Sequence, residues 1–457
     1  MGHKRACGGM NRAKRPAPPR SKSDRSKSGR NPTPPKKVDI SGRAAALELL
    51  GDVFKAGLPI SDASACLADI KPAARAEALR LARMVLRHRS NLDRIIDPIL
   101  RNRPANHVRR ILWLMLVEVQ IFKTPDHAVV DAYVRLAKAD RATGGKAAPL
   151  VNAMGRQFVE LDADVLSSKK APKLPKELRG KLIGAYGQAR VDKMEDLFRQ
   201  TPPIDLIFKD PQPDARPEGE SLGKGHLRIG AGGKLSALSG FDTGQWWVQD
   251  FAASLPAQIF ANMKKGDILD LCAAPGGKTM QLASYGHQVD ALDISEGRLT
   301  RVESNLKRTG LTANLIAEDA LEWDAPKLYD GILLDAPCSA TGTIRRHPEL
   351  PHLRETLEVK PLLEIQRKLA ARAVTWLKSG GIMVIATCSL LPAEGEKLAE
   401  WVLENCEGLE PYPITLAPDI AAKITQDQSN QIRLTPDQFF DEGGVDGFFY
   451  CAFKKAS

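Results

Sequence analysis

The chain has 457 residues, of which 43% are hydrophobic, and its mean hydropathy is −0.26. A chain of this length is expected to form about three domains, each with a core of its own. No apolar run reaches the roughly 18 residues that a membrane span needs, and no apolar stretch follows the basic N-terminus. We therefore expect neither a membrane helix nor a signal peptide.

The seven cysteines indicate a reducing compartment. Their number is odd and no two of them form a CxxC pair, which disfavours a disulfide framework and a zinc site. The eight histidines show no metal-ligand spacing either. We expect a cytoplasmic protein without a bound metal. Nothing in the sequence demands an oligomer, so we also expect a monomer.

The net charge of +11 is concentrated at the N-terminus. Residues 1–40 contain twelve Lys or Arg and two Asp, a charge of +10, which leaves about +1 for the rest of the chain. This segment is rich in Lys, Arg, Pro, Ser and Gly and has no hydrophobic period, so we predict a disordered tail. Its charge indicates a polyanionic partner, although such a tail can also be only a solvated leader.

Residues 41–165 have the apolar spacing of helices. The run Ile111–Leu116 is apolar on nearly all faces, which predicts a central helix. Five arginines of this segment could line a surface that faces RNA, or could lie on solvated helix faces: Arg83, Arg87, Arg89, Arg109 and Arg110.

Two short regions follow the helices. Residues 166–180 contain the Lys- and Pro-rich run Lys169–Lys176, and we predict a linker there. Residues 181–240 mix a helix with short strands such as Ile204–Phe208, which predicts a small α+β module.

Residues 241–457 alternate between strands and helices. The strand candidates are Ile268–Leu271, Val289–Leu292, Leu315–Ala317, Gly331–Leu334 and Ile382–Ala386. Helical patterns separate most of them, notably Leu299–Arg308 and Leu362–Leu377. The alternation predicts a Rossmann-like α/β domain, with a mostly parallel sheet and helices on both faces.

Each predicted strand ends in polar or reactive residues. In chain order the strands run into Cys272, Asp293, Asp319, Asp335 and Cys388. Ligands of open α/β sheets bind beyond the carboxyl ends of the strands. We therefore expect these five side chains to share one rim of the sheet.

The loop after the first strand, within Asp270–Thr279, is the predicted cofactor site. Its glycines, Gly276 and Gly277, let the backbone come close to a ligand. Asp293 lies 23 positions after Asp270, about where a carboxylate would hold ribose hydroxyls, although a strand-end cap also explains it. The loop lacks the GxxxxGK[ST] phosphate cradle. S-adenosylmethionine, which has a ribose and an adenine but no phosphate, therefore fits better than ATP.

The two thiols suit methylation of a pyrimidine ring carbon. Carbon 5 of a pyrimidine is a poor nucleophile, but a thiolate that adds to carbon 6 turns carbon 5 into an enamine-like centre. An acid such as Asp335 beside the ring could hydrogen-bond nitrogen 3 and stabilise the developing charge. A base must then remove the carbon 5 proton so that the thiol can leave. Cys338, Cys388 and Asp335 cover these steps.

These residues make the chain similar to the RNA (cytosine-5) methyltransferases of the RsmB/Nop/NSUN family. The stretches that carry the similarity are Val248–Asp250, Asp270–Thr279, Asp335–Thr343, Arg345–Glu349, Thr387–Ser389 and Asp446–Tyr450. The helical segment resembles the NusB-like RNA-binding domain that accompanies the RsmB type, at Val85–Arg89, Leu92–Asp93, Pro125–Val130 and Leu150–Ala153. The resemblance implies an enzyme that forms 5-methylcytosine in small-subunit (16S) ribosomal RNA.

The resemblance also implies roles for individual residues. Cys388 would be the nucleophile, Cys338 would assist release of the methylated product, and Asp335 would sit at the target base. The residues implied to bind S-adenosylmethionine are Cys272, Ala273, Ala274, Pro275, Gly276, Gly277, Lys278, Asp293, Arg298, Asp319 and Asp335. The residues implied to contact RNA are Arg345, Arg346 and His347, for which a charged surface loop is the alternative.

Two other functions fit parts of this pattern. A DNA cytosine-5 methyltransferase would use the cysteine of the Pro-Cys segment, Cys338, as its nucleophile. The additional Thr387–Ser389 and the RNA-type helical segment weigh against it. A non-catalytic factor could bind ribosomal RNA during assembly, although the complete cofactor loop and both thiols favour an enzyme.

Overall fold

A computed structural model describes residues 39–62, 67–213, 216–353, 358–424 and 428–457. The predicted disordered tail lies outside these residues, except for Asp39 and Ile40. Among the described residues, no helix has both the length and the apolar character needed to cross a membrane.

The predicted helical segment contains five α-helices. They are α1 (Ser41–Gly51), α2 (Pro72–Ile96), α3 (Asn106–Gln120), α4 (Asp126–Ala139) and α5 (Ala148–Val159). Every residue of α3 from Val108 to Gln120 is buried, because the other helices cover its apolar faces. The prediction of a central helix at Ile111–Leu116 is confirmed.

The predicted linker is wrong at its C-terminal end. A helix, α6 (Lys176–Tyr186), begins within it and is followed directly by α7 (Gln188–Phe198). Leu174 and Leu178 are buried and pack in one cluster with Ile344, Leu390 and Leu391 from the C-terminal half. Apolar side chains at these positions give the segment a packed partner, so it is not a free spacer.

A four-stranded antiparallel sheet follows these two helices. Its strands are β1 (Ile204–Phe208), β2 (Glu220–Gly223), β3 (His226–Ile229) and β4 (Trp246–Val248), in the order β2-β3-β1-β4. The predicted strand Ile204–Phe208 is confirmed. The predicted boundary at residue 240 falls too early, because Trp246–Val248 pairs with β1 in this sheet.

The C-terminal half contains a second, larger sheet with helices. The strands are β5 (Asp267–Leu271), β6 (Gln288–Asp293), β7 (Asn314–Ala317), β8 (Tyr329–Asp335), β9 (Leu377–Thr387), β10 (Leu409–Pro411), β11 (Gln431–Leu434) and β12 (Phe448–Lys455). The helices are α8 (Phe251–Gln258), α9 (Gly277–Ser284), α10 (Glu296–Thr309), α11 (Leu350–Leu353), α12 (Lys360–Thr375), α13 (Glu396–Asn405) and α14 (Pro418–Ala421).

The order of this sheet is β10-β12-β9-β8-β5-β6-β7, and β11 also pairs with β12. Strands β5 to β9 are parallel, and β12 is antiparallel to β9. All five predicted strands are present. The predicted helix Leu362–Leu377 ends two residues early, because Leu377 already begins β9.

Alternate residues of the parallel strands face two separate cores. Leu269, Leu271 and Leu334 pack with α12 and α13 on one face. Ile268 and Leu333 pack with α8 on the other face. This is the layered arrangement expected when helices cover both faces of a parallel sheet, so the predicted Rossmann-like fold is confirmed.

Candidate active site

The site lies where the strand order reverses. The central strand β5 has β6 on one side and β8 on the other, and Leu271 pairs with Leu292 and with Leu334. The loops after these strands therefore diverge from a crevice, which is where open α/β sheets bind ligands. Asp293 ends β6, Asp335 ends β8, and both flank the loop that follows β5.

The cofactor loop turns sharply between β5 and α9. Cys272 and Gly276 both have a left-handed backbone, with φ of 60° and 97°. A Cβ at Gly276 would lie 2.8 Å from the Val302 side chain of α10. The sequence thus needs glycine at this position for two reasons, the backbone conformation and the close approach of α10.

Asp293 and Arg298 hold this loop in place. The Ala274 amide donates to Asp293 Oδ2 at 3.1 Å, and the Arg298 guanidinium donates to the Ala274 carbonyl at 2.6 Å. The same guanidinium lies 3.5 Å from Asp293 Oδ1. Asp293 is therefore both a strand-end anchor for the loop and a wall of the crevice.

The crevice is a cavity of about 830 Å³. All the predicted cofactor residues line it except Gly276, which sits in the turn behind the wall. Both thiols and the Arg346 and His347 side chains line it as well. A pocket of this size accommodates a molecule as large as S-adenosylmethionine. The acid at the end of β6 and the open backbone at Gly277 also fit that cofactor.

The sequence analysis missed several lining residues. Ile294 is 68% exposed although it is apolar, and it lies next to Asp293 at the mouth of the cavity. Gln249 and Phe448 line the cavity from outside the strand ends, and the sequence analysis gave them no role. An apolar residue after a strand-end acid is the only sequence signal that could have indicated Ile294.

Asp335 is paired with the lysine of the cofactor loop. Lys278 Nζ lies 2.8 Å from Asp335 Oδ2, and the ammonium also lies 5.1 Å from the centre of the Phe448 ring. Lys278 is 8% exposed, whereas the Asp335 side chain is 30% exposed. The pair fixes the carboxylate at the cavity wall and leaves part of it accessible to a ligand.

The two thiols that the sequence places on separate strands are adjacent. Cys338 Sγ lies 3.5 Å from Cys388 Sγ. The hydrogen bond to Cys388, together with burial, raises the pKa of the Cys338 thiol well above its usual value. Cys338 therefore keeps its proton at neutral pH and can donate it to the Cys388 sulfur.

Backbone contacts fix the spacing of the two cysteine loops. The Gly342 amide donates to the Cys388 carbonyl at 2.9 Å, and the Gly447 amide donates to the Gly342 carbonyl at 2.8 Å. A Cβ at Gly342 would lie 1.9 Å from the Gly447 carbonyl oxygen. The backbones at Gly342 and Gly447 are therefore so close that a side chain at Gly342 would clash.

Glu394 ties the same two loops together and was missed by the sequence analysis. Its carboxylate is fully buried and accepts hydrogen bonds from the Ser339 amide at 2.9 Å, the Ser389 hydroxyl at 2.6 Å and the Gln366 amide at 3.1 Å. The Ser339 hydroxyl donates to it at 2.5 Å. Among the described residues no Lys or Arg pairs with it, so these donors alone compensate its burial.

The structure corrects one predicted RNA contact. Arg345 is 1% exposed, and its guanidinium is held by Asp250, Asp446 and the Gly443 carbonyl. Arg345 therefore forms buried ion pairs inside the protein and cannot reach RNA in this conformation. A charged run in a loop does not disclose which of its charges find a buried partner, and that is why the sequence was misleading.

Arg346 and His347 have accessible side chains. Their side chains are 36% and 45% exposed, although Arg346 is also paired with Asp446. Burial would lower the pKa of Arg346, but Asp446 and Asp250 outweigh it and raise that pKa. Arg346 is therefore a permanent cation in the wall that also holds Cys388.

A buried acid lies beneath the cofactor loop. Asp270 in β5 is fully buried, and its Oδ2 accepts a hydrogen bond from the Thr279 hydroxyl at 2.6 Å. Burial raises the pKa of Asp270 to about 7. Among the described residues, no group of three His, Cys, Asp or Glu side chains could hold a metal ion.

A Rossmann-like sheet whose final strand, β12, is antiparallel to its neighbour and whose switch point carries a glycine loop is the fold of a methyltransferase. Residues 257–454 match the family model of the 16S rRNA methyltransferase RsmB/F, and residues 41–159 match that of the NusB family. The chain belongs to the RsmB/F family of rRNA methyltransferases, whose methyl donor is S-adenosylmethionine.

Two bacterial relatives illustrate the match. The chain is 32% identical over 395 residues to ribosomal RNA small subunit methyltransferase B of Escherichia coli O127:H6, an alignment that covers 81% of this chain and 88% of the relative. It is 37% identical over 235 residues to the protein of the same name from Proteus mirabilis, with 50% of each chain covered.

Two crystal structures have the same fold. PH0851 superimposes with a TM-score of 0.67 at 20% identity, covering 92% of this chain and 99% of its own. NSun6 from Pyrococcus horikoshii, solved with SFG, superimposes with a TM-score of 0.54 at 19% identity, covering 63% of this chain and 99% of its own.

Proposed function

We propose that this enzyme methylates carbon 5 of a cytosine in small-subunit ribosomal RNA, with Cys388 as the nucleophile. The observation that carries the proposal is the 3.5 Å separation of Cys338 and Cys388 beside Asp335 in one cavity with the cofactor loop. Two adjacent thiols allow one sulfur to attack while the other handles a proton. The names of the curated relatives support the small subunit as the source of the RNA.

Cys388 begins the reaction by adding to the ring. In this mechanism Cys388 reacts as a thiolate, which is the reactive form of cysteine. Its sulfur lies 3.5 Å from Cys338 Sγ, so the Cys338 thiol can donate to it, and Arg346 lines the same wall. A bond forms between Cys388 Sγ and carbon 6, and the ring takes the electron pair. Nitrogen 3 takes a proton from solvent, which neutralises this charge, and the Asp335 carboxylate accepts a hydrogen bond from that proton.

Cys338 completes the reaction. S-adenosylmethionine, when bound, supplies an electrophilic methyl group. The residues proposed to hold it are those of the loop 272–278 with Asp293, Arg298, Asp319 and Asp335. Once Cys388 is bonded to carbon, Cys338 no longer donates to a thiolate. Its thiol proton then passes to solvent, and the Cys338 thiolate takes the proton from carbon 5. The electron pair of the broken carbon–hydrogen bond forms the double bond between carbons 5 and 6 and expels Cys388 as a thiolate. The bond between Cys388 and carbon 6 breaks, and the ring becomes aromatic again.

The same site supports inferences about the oligomeric state and the cellular location of the enzyme. One chain supplies both thiols, the acid and the cofactor loop, which supports a monomer as the active form. The thiols must stay reduced, and ribosomal RNA is the substrate, which supports a cytoplasmic location. Both alternatives from the sequence become weaker. A DNA enzyme would not need Cys388 next to Cys338, and a binding factor would need neither thiol.

The test is to trap the covalent adduct on a denaturing gel. Wild type, Cys338→Ala, Cys388→Ala and the control Cys406→Ala are incubated with S-adenosylmethionine and small-subunit ribosomal RNA. Cys406 is buried and lies outside the cavity. We expect the adduct to accumulate only in Cys338→Ala. Accumulation only in Cys388→Ala would reverse the roles, and no adduct or methyl transfer in any sample would contradict the proposal.

A further inference from the structure

A second cavity, of about 590 Å³, opens between the helical segment and α11. Among the described residues, its walls carry five basic side chains and no acidic ones: Lys55, Arg89, Arg103, Arg109 and Arg110. Pro351 and His352 of α11, which follows the Cys338 loop, close one side. The cavity is separate from the active site and shares no lining residue with it.

Most of these charges lack a carboxylate partner. Arg109 is the exception, since Asp93 and Asp97 pair with it. Among the described residues no acid forms an ion pair with Lys55, Arg89, Arg103 or Arg110. The Arg110 guanidinium lies 3.1 Å from the His107 ring, whose other nitrogen lies 2.8 Å from Asp140. Four unpaired cations around one cavity repel each other unless an anion lies between them.

Arg89 and Arg110 are packed into the wall of this cavity. The Arg89 guanidinium lies 5.2 Å from the centre of the Phe54 ring and 5.5 Å from the Trp113 ring. Arg110 is 3% exposed. The Nε atoms of both arginines are buried and have no hydrogen-bond partner. Because these Nε atoms are closed off from solvent, a ligand in the cavity would meet the terminal guanidinium nitrogens, which are strong donors to an oxyanion.

The N-terminus of α3 points to the same ligand. Asn106, the first residue of this 15-residue helix, lines the cavity. No side chain caps this end, and its first turn contains no acidic residue. The free amide groups and the positive end of the helix dipole favour an oxyanion there.

We propose that this cavity binds a backbone phosphate of the substrate RNA. Guanidinium groups match the geometry of phosphate oxygens, and the helix N-terminus adds amide donors. The proposal rests on the proposed function, because it takes RNA to be the substrate. It separates the five arginines that were predicted as a possible RNA-facing surface, of which Arg83 is exposed and does not line the cavity. Arg89 and Arg110 face the phosphate, whereas Arg87 is bonded to the Phe198 carbonyl and Arg109 to two carboxylates.

The test is the salt dependence of RNA binding by the full chain. The variants are Lys55→Gln/Arg103→Gln, whose side chains are exposed and safe for folding, and the same pair with Arg89→Gln. The control is Arg75→Gln/Arg301→Gln, which removes two exposed cations outside the cavity. Affinity for a small-subunit rRNA fragment is measured between about 50 and 300 mM KCl.

We expect the cavity variants to bind RNA about tenfold more weakly at low salt, with the slope of log K against log [KCl] smaller by about 0.7 to 0.9 for the lost phosphate contact. The control should keep the wild-type slope, and affinity for S-adenosylmethionine should not change in any variant. Equal losses in cavity and control variants would overturn the proposal, because the cavity would then act only through net charge.

Inorganic phosphate distinguishes the two sources of the anion. If millimolar phosphate raises the melting temperature of wild type but not of the cavity variants, and the RNA slopes are all equal, the cavity binds a small anion and the RNA assignment is wrong. Methyl transfer is assayed in parallel. If the slopes differ but the wild type shows no methyl transfer, the phosphate site is supported and the proposed function is wrong. If the wild type methylates RNA and all slopes are equal, the proposed function is supported and the phosphate site is wrong.

Discussion

The amide of Gly342 donates a hydrogen bond to the carbonyl of Cys388 at 2.9 Å, so the loop after Cys338 is attached directly to the residue that carries the other thiol. The Gly447 amide then donates to the Gly342 carbonyl, which joins β12 to the same point. The distance between the two sulfurs is thus set by the backbone and does not depend on side-chain rotamers alone.

Replacing Gly342 with alanine should disrupt these two backbone hydrogen bonds. The new Cβ would lie 1.9 Å from the Gly447 carbonyl oxygen and 2.8 Å from the Cys388 carbonyl oxygen, and neither backbone can move freely. We expect methyl transfer to fall by at least about tenfold and stability to fall by about 1–3 kcal/mol. Gly180→Ala is the control, since a Cβ there meets nothing within 4 Å. A wild-type rate for Gly342→Ala would show that these backbone contacts are not needed for methyl transfer.

Glu394 should act as a positioning residue. Glu394→Ala leaves the buried Ser339 amide without its acceptor and removes one of the two acceptors of the Gln366 side chain. We expect a loss of about 2–4 kcal/mol in stability and at least tenfold in kcat. Glu394→Gln keeps one oxygen acceptor and should recover part of the rate. Affinity for S-adenosylmethionine, measured by calorimetry, should stay at the wild-type value because Glu394 does not line the cavity.

The control for Glu394 is Glu400→Ala, which removes an exposed carboxylate on α13. It should leave both rate and stability near wild type. If Glu394→Ala weakened cofactor binding as much as it slowed the reaction, Glu394 would be a general structural residue and its link to the thiols would be wrong.

Asp335→Asn tests the role of the acid at the base. The amide keeps the shape of the carboxylate but cannot hold the proton at ring nitrogen 3, so we expect kcat to fall by roughly 10²–10³. Adduct formation should fall with it in the Cys338→Ala background. A variant that loses only affinity for S-adenosylmethionine, with kcat intact, would mean that Asp335 serves the cofactor alone.

Asp270 should make stability depend on pH. Its folded pKa is about 7 against an ordinary value of 3.8. Between these values the unfolded chain has lost the proton while the folded chain retains it, so the free energy of unfolding falls as pH rises. Asp270→Asn removes this dependence. We expect the variant to gain up to roughly 4 kcal/mol over wild type between pH 4 and 7 in denaturant titrations.

Asp290 on the next strand provides a control of opposite sign. Burial would raise the pKa of Asp290, but hydrogen bonds from Asn314, Tyr329 and Lys327 outweigh it and lower that pKa. Asp290→Asn should therefore be less stable than wild type at pH values above the ordinary pKa of aspartate, and this difference should disappear as the pH falls towards the lowered folded pKa. If both variants shifted in the same direction, the effect at Asp270 would not come from its own titration.

The sequence predicted the rim of the sheet well because strand ends are local features. The periodicity that located β5, β6 and β8 also placed Cys272, Asp293 and Asp335 on one edge, and the parallel pairing confirmed it. The position of Cys388 beside Cys338 followed from the same rule, since β8 and β9 are neighbours.

The errors concern partners that are distant in the chain. Arg345 is buried by carboxylates at Asp250 and Asp446, 95 and 101 positions away, and no local pattern discloses that pairing. Glu394 was missed for the same reason, because the Ser339 amide that donates to it belongs to another loop. Burial of a charge is decided by tertiary contacts, which a single sequence does not record.

The packing of α6 and α7 limits how this enzyme can be divided. These helices cover Ile344, Leu390 and Leu391, the residues that flank the two cysteine segments, and the Tyr186 hydroxyl donates to the Leu390 carbonyl at 2.6 Å. A catalytic fragment that starts at residue 241 would expose that apolar surface to water and release the loops on its inner side. A chimaera that joins this methyltransferase domain to another RNA-binding domain must therefore retain residues 174–198 of this chain.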